Sequence, residues 1–269
     1  MDRSPIGVFD SGLGGLTCVR ELKKVLPCED IVYFGDTGRV PYGTRSRETI
    51  LRYARQDMRF LMSKDVKMII AACGTISSVY GDGSELEVPF TGVVKHAAAA
   101  AVKATKNGKI AVTGTQATIN SRSYVKEIGK LMPEAQIFEK ACTLFVPIVE
   151  TGFIDIDDPL PEMVVRRYLE PLAEQGVDTM ILGCTHFPIL APIISKVFGT
   201  GITLIDAGAE TAKYTASLLR EKDMLTDSQT PGNYSYYVSD RTDDFSSVAG
   251  TFLGENVSGS VERIDIYSL

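Results

Sequence analysis

Unbroken apolar runs alternate along the chain with stretches of helical periodicity. IGVFD (6–10), DIVYFGD (30–36) and VKMIIAAC (66–73) read as strands. Between them, GGLTCVRELKKVL (14–26) and SRETILRYARQDMRFLMSK (46–64) place apolar residues at helical spacing. Strands that are apolar on both faces, separated by helices, predict a parallel sheet covered by helices. The pattern then restarts. GKIAVTGT (108–115), QIFEKAC (136–142) and VDTMILGC (177–184) are strands, and NSRSYVKEIGKLM (120–132) and PEMVVRRYLEPLAEQ (161–175) are the helices between them. Strand, helix, strand, helix and a strand ending in cysteine therefore occurs twice.

Beyond the second cysteine, GITLIDAG (201–208) predicts a strand and AETAKYTASLLREK (209–222) a helix. KDMLTDSQTPG is polar and turn-rich, so a loop is expected there. NYSYYVSD (233–240) is a strand by its aromatic content, and VERIDI (261–266) alternates as a late edge strand does. The expected architecture is α/β, with two similar Rossmann-like parallel-sheet domains related by pseudo-twofold symmetry and an active site between them. Residues 1–95 plus 209–269 form the first domain and 96–208 the second.

The 269 residues are 44% hydrophobic, enough to bury a sizeable core. The net charge is −6 with no Lys/Arg run, which disfavours a nucleic-acid partner. No apolar stretch reaches the ~20 residues of a membrane span, and MDRSPIGVFDSG lacks the order of a signal peptide. A cytoplasmic location with reduced thiols is expected. The five cysteines (18, 28, 73, 142, 184) are odd in number and without CxxC, so neither a disulfide framework nor a zinc site is indicated. Cys18, Cys28 and Cys142 read as small buried hydrophobes.

Parallel sheets bind ligands beyond the carboxyl ends of their strands. Five such ends carry reactive or polar groups: Asp10-Ser11, GDTGRVPYG (35–43), CGT (73–75), TGTQAT (113–118) and CTH (184–186). DSGLGG matches neither GxGxxG nor GxxxxGK[ST], so its glycines read as a tight strand-to-helix turn. That turn does not explain Asp10, which costs energy if buried without a partner. Cys73 and Cys184 each stop a strand in front of a helix N-terminus, where the positive helix end is expected to lower a thiol from ~8.5. Asp10 shares an edge with Cys73, and His186 is local to Cys184. A protease needs one nucleophile, whereas inverting a carbon needs a proton carrier on each face. A racemase therefore uses both thiols.

Together FDSGLGG, DTGRVPYG, ACGTIS, ATINSRSY, FVPIVETG and LGCTHFPIL resemble the glutamate racemases, the cofactor-independent aspartate/glutamate racemase family. The resemblance spans essentially the whole chain. It implies interconversion of L- and D-glutamate for peptidoglycan synthesis, no cofactor, and a homodimer. It implies Cys73 and Cys184 as acid/base residues assisted by Asp10 and His186. It implies substrate contacts at Asp10, Ser11, Pro41, Tyr42, Gly43, Gly74, Thr75, Thr115, Thr118, Glu150, Thr185 and His186. One departure is Gly74, where the family usually has asparagine. The missing amide is expected to be replaced by water or backbone, so that Gly74→Asn folds and alters KM more than kcat. Three other readings stay open. They are an aspartate racemase or other two-cysteine isomerase, a Cys184–His186 hydrolase betrayed by a trapped covalent intermediate, and an amino-acid-binding protein without α-hydrogen exchange.

Overall fold

The computed structural model describes residues 1–81, 83–240, 245–254 and 261–268. The first sheet has the order β10-β9-β2-β1-β3-β4, where β1 is Ile6–Asp10, β2 Ile31–Gly35, β3 Met68–Ala71, β4 Phe90–Gly92, β9 Tyr234–Val238 and β10 Val261–Arg263. The second sheet has the order β6-β5-β7-β8, where β5 is Lys109–Gly114, β6 Gln136–Ala141, β7 Thr179–Leu182 and β8 Thr203–Asp206. Every pairing is parallel. The run β2-β1-β3-β4 has the same order as β6-β5-β7-β8, so the repeat legible in the sequence is a repeat of topology. The late strand expected near 261–266 is the outermost strand of the first sheet.

β1, β2 and β3 are buried at every position, which is why they read as continuous apolar runs. One core lies between the two halves. Ile6, Val8 and Met68 from the first sheet share it with Met180 and Leu182 from the second and with Phe187 just beyond β7. The other face of the first sheet packs Phe9, Phe34 and Ile69 against helix α2 (Arg47–Met62) through Ile50, Phe60 and Leu61. Helix caps match local sequence. Ser46 Oγ accepts the Thr49 N–H at the start of α2, and Asp206 Oδ1 accepts those of Gly208 and Ala209 at the start of α10 (Ala207–Glu221).

Two expectations change. The helix expected over 120–132 is two helices, α5 (Gln116–Ser121) and α6 (Ser123–Leu131), broken at Arg122 with φ +57°. The stretch between the halves also holds α3 (Gly74–Val79), the short edge strand β4 and the alanine-rich α4 (Val94–Ala104). The small side chains of α4 let it lie close to β7 and β8, with Ala97, Ala98 and Ala101 in one buried cluster with Ile110, Val112, Ile181 and Ile205. No helix among the described residues is long and apolar enough to cross a membrane.

Candidate active site

The carboxyl ends of β1, β3, β5, β6 and β7 surround one cavity of about 350 Å³. Both strand-end thiols line it. Cys73 caps α3, and Cys184 follows β7 by two residues; both are buried apart from a small face.

Each thiol has its own set of partners. Cys73 Sγ lies 3.5 Å from Ser11 Oγ. Asp10 sits behind, fully buried. Its Oδ2 accepts the Gly12 N–H at 3.0 Å, and its Oδ1 makes no direct hydrogen bond. Burial pushes the Asp10 carboxyl upward, while the charge of His186 and the N–H groups of Gly12 and Gly15 pull it down. The Cys73 thiol is pushed up to about 12 by burial and by Asp10. This corrects the expectation of a lowered thiol at Cys73. A six-residue helix offers a weak positive end, and the neighbouring carboxylate together with loss of water outweighs it.

On the other side, Cys184 Sγ lies 3.9 Å from His186 Nδ1, and His186 Nε2 lies 3.0 Å from Glu150 Oε1. Burial disfavours a charge on His186, but the hydrogen bonds to Cys184 and Glu150 prevail and push the imidazole up to about 10. In its charged form the ring has an N–H facing each of these partners. Phe252 of α11 (Phe245–Leu253) presents its ring edge-on to His186 at 5.1 Å, fixing the imidazole plane.

Hydroxyls complete the wall. Thr75 Oγ1 and Thr115 Oγ1 are 2.9 Å apart, and Thr115 Oγ1 and Thr118 Oγ1 are 3.0 Å apart, so the three form a chain. Thr17 Oγ1 donates to the Thr185 carbonyl at 3.0 Å, tying α1 (Leu16–Val25) to the second half.

Of the residues singled out in the sequence, Ser11, Pro41, Tyr42, Gly43, Cys73, Gly74, Thr75, Thr115, Glu150, Cys184, Thr185 and His186 line the cavity. Asp10 and Thr118 do not. They stand behind Cys73 and Thr115, buried at about 1% exposure each. Tyr42 lines the cavity but has no free hydroxyl, because its oxygen bonds Asp36 and Asp57. Arg39 holds the same two carboxylates, with Nε 2.5 Å from Asp36 and Nη2 2.8 Å from Asp57. The Pro41–Gly43 loop thus rests on a buried ionic cluster.

A Cβ on Gly74 would stand 2.1 Å from the Gly183 carbonyl oxygen, so an asparagine there requires the neighbouring backbone to shift. The DSGLGG glycines serve close approach as well as the turn. A Cβ on Gly14 would meet Thr185 Oγ1 at 2.3 Å, and one on Gly15 would meet Asp10 Cβ at 2.6 Å.

The sequence reading passed over Gly12, Val40, Thr44, Gln116, Cys142, Thr143, Val146 and Pro147, which also line the cavity. Cys142 and Thr143 follow the end of β6, a sixth strand end that the same rule would have included. Among the described residues, no three His, Cys, Asp or Glu side chains converge as metal ligands.

Residues 16–215 match the profile of the Asp/Glu/Hydantoin racemase family. The chain belongs to that racemase family. A glutamate racemase from Geobacter metallireducens is 41% identical over 263 residues, covering 97% of this chain and 96% of its relative. The crystal structure of glutamate racemase from Francisella tularensis subsp. tularensis SCHU S4 in complex with D-glutamate is 37% identical, with a TM-score of 0.91 over 100% of both chains. That of the Thermus thermophilus glutamate racemase in complex with beta-chloro-D-alanine is 38% identical, with a TM-score of 0.89 over 100% of both chains. Two parallel-sheet halves are thus shared with solved racemases.

Proposed function

We propose that the chain interconverts L- and D-glutamate, with Cys73 and Cys184 as the two proton carriers. The observation that carries this reading is the equivalent placement of the two thiols. Each follows the third strand of a sheet half with the same strand order, and both line one cavity. The thiolate on one face takes the α-proton. The thiol on the other face gives its proton to the resulting carbanion. The sulfurs have then exchanged protonation states, and the reverse reaction starts from the opposite arrangement. Near-attack geometry needs each sulfur about 3–3.5 Å from the α-carbon.

The partners divide the work. Burial and Asp10 hold Cys73 in its protonated form, while the Ser11 hydroxyl favours the thiolate. The His186 imidazolium, held by Glu150, compensates the charge on Cys184 whenever that sulfur carries no proton. Thr75 and Thr115, backed by Thr118, offer hydroxyls to substrate, and Thr185 offers another. The N–H groups at the starts of α3 and α5 have no partners within their helices, which suits carboxylates without basic side chains. Protons move only between sulfur and carbon. Activity without PLP, nucleotide or metal, surviving dialysis against a chelator, is part of the proposal.

The names of the relatives support glutamate over aspartate. A hydrolase has no use for Cys73, which lines the same cavity as the Cys184–His186 pair. We place the activity in the cytoplasm, supplying D-glutamate to peptidoglycan, and divide the chain into 1–95 plus 209–269 and 96–208, in line with β9 and β10 joining the first sheet. A homodimer is supported by exposed Leu144, Phe153, Ile156, Leu160 and Met163 on one segment. Incubating D-glutamate and D-aspartate separately in D2O tests the reading. Optical rotation should decay with α-hydrogen exchange for glutamate. Decay for aspartate alone, or tight binding without exchange, contradicts it.

A further inference from the structure

We propose that Thr17 is a positioning residue for the Cys184 side of the reaction, an inference that rests on the two-thiol reading above. The turn CTHFP after β7 is helical, with the Phe187 N–H on the Cys184 carbonyl at 3.0 Å and the Ile189 N–H on the His186 carbonyl at 3.1 Å. The bond between those two would run from residue 188 to the Thr185 carbonyl. Residue 188 is proline and has no N–H to give. The Thr185 oxygen is therefore left without a donor from its own turn. The donor comes from the other half of the molecule. Thr17 of α1, buried at 1% exposure, directs its Oγ1 at that oxygen at 3.0 Å. Thr17 Oγ1 also lies 2.9 Å from the Gly14 carbonyl, but that carbonyl already accepts the Thr17 N–H at 3.0 Å. Of the two acceptors, only the Thr185 oxygen depends on the hydroxyl.

The Thr185 carbonyl carbon is bonded to the His186 nitrogen, and Cys184 is the residue before. The orientation of this one peptide sets how the imidazole stands to the sulfur, with Nδ1 3.9 Å from Sγ. The same helix start packs against the turn. A Cβ on Gly14 would meet Thr185 Oγ1 at 2.3 Å and His186 Nδ1 at 2.6 Å, so the entry to α1 lies flush against both residues. Cys73 is held by other contacts, Ser11 Oγ at 3.5 Å and, behind it, Asp10 on the Gly12 N–H. Loss of the Thr17 hydroxyl releases the Cys184 turn and leaves those contacts in place.

The two thiols can be read separately. Racemisation needs both sulfurs, whereas elimination from one enantiomer of β-chloroalanine needs one. There the thiolate takes the α-proton, the C–H electron pair becomes the Cα=Cβ bond, and chloride leaves with the Cβ–Cl pair. The 2-aminoacrylate formed tautomerises to an imine that water converts to pyruvate and ammonia. The enantiomer served by Cys184 is the one that Cys73→Ala still eliminates.

Thr17→Val replaces the hydroxyl by a methyl of similar size and keeps the helix N–H. It should lower kcat for glutamate racemisation about 10- to 100-fold, up to the scale of a 1 Å misplacement. Elimination from the enantiomer served by Cys184 should fall by a similar factor, and elimination from the other should stay within about threefold of the parent. Thr17→Ser keeps the hydroxyl and should restore both rates. Pro188→Ala gives residue 188 an N–H for the Thr185 oxygen, so Thr17→Val should cost less in that background than in the parent. Thr215→Val removes a buried hydroxyl with no direct partner among the described residues and is the control, leaving both rates unchanged. Should Thr17→Val fail to fold, Thr17→Ala compared with Thr17→Ser carries the same readings. Parental racemisation by folded Thr17→Val, or equal loss on both enantiomers, overturns the positioning role. So does a Thr17→Ser as slow as Thr17→Val, or a cost that Pro188→Ala leaves unchanged. If the unmodified protein itself fails to racemise glutamate, or Cys73→Ala eliminates neither enantiomer, the two-thiol reading has failed first.

Discussion

His186 is the residue whose titration is most exposed to measurement. Its folded value is raised from 6.5 to about 10, because hydrogen bonds to Cys184 and Glu150 prevail over burial. A raised basic group stabilises the fold fully below its unfolded value and loses that contribution as pH rises through the folded one. Between pH 6.5 and about 10 the parent protein should therefore lose stability relative to His186→Gln. Denaturant titrations at several pH values read this, and parallel stability curves would contradict the charged imidazole. Asp10 gives the second prediction at this scale. Because its carboxylate helps to hold the Cys73 thiol up at about 12, Asp10→Asn should make that thiol more acidic. The pH dependence of Cys73 alkylation, followed in a Cys184→Ala background, measures it; an unchanged or higher value rules the carboxylate out. Most of the cavity lining was legible at this scale because thiols and carboxylates at strand ends have few ordinary uses. Tyr42 and Gly74 were not. Whether a hydroxyl faces a cavity or a neighbouring carboxylate, and whether a glycine abuts backbone, depends on partners far along the chain, here Asp57 and Gly183.

Among the elements, the turn after β2 depends most on charge. Asp36 and Asp57 flank Arg39, and all three are buried. Asp57 is pushed well above the usual carboxylate range by burial and by Asp36, while Arg39 pulls it back down. Asp57→Asn keeps a hydrogen-bonding group beside Arg39 and Tyr42 and relieves the repulsion from Asp36, so it should cost little, under about 1 kcal/mol. Arg39→Met removes the positive charge that Asp36 and Asp57 share and should cost about 3–5 kcal/mol, with KM rising as the Pro41–Gly43 wall loosens. Urea denaturation of the two variants separates them, and equal losses would contradict this division of charge. The sequence showed the long apolar strands and amphipathic helices of both halves, because burial on two faces leaves a clear signature. It did not show β4, which is three residues long, or α4, whose alanine run has little amphipathic contrast. It read through the break at Arg122 because a single left-handed residue leaves helical periodicity almost intact.

At the scale of the whole molecule, the repeated strand order brings two thiols to one cavity, and the attachment of β9 and β10 to the first sheet was the part that local pattern left open. Strand neighbours are chosen by long-range pairing, which no window of sequence records. The central claim is that the cavity holds one proton carrier for each face of a single α-carbon. It is tested most directly by comparing Cys73→Ala and Cys184→Ala, each verified as folded, on glutamate and on both enantiomers of β-chloroalanine. Each variant should lose racemisation, since one face lacks its carrier. Each should still eliminate chloride from one enantiomer and fail on the other, with opposite preferences. Near-parental racemisation by either variant, or equal loss of both enantiomers in both, would contradict the two-thiol account.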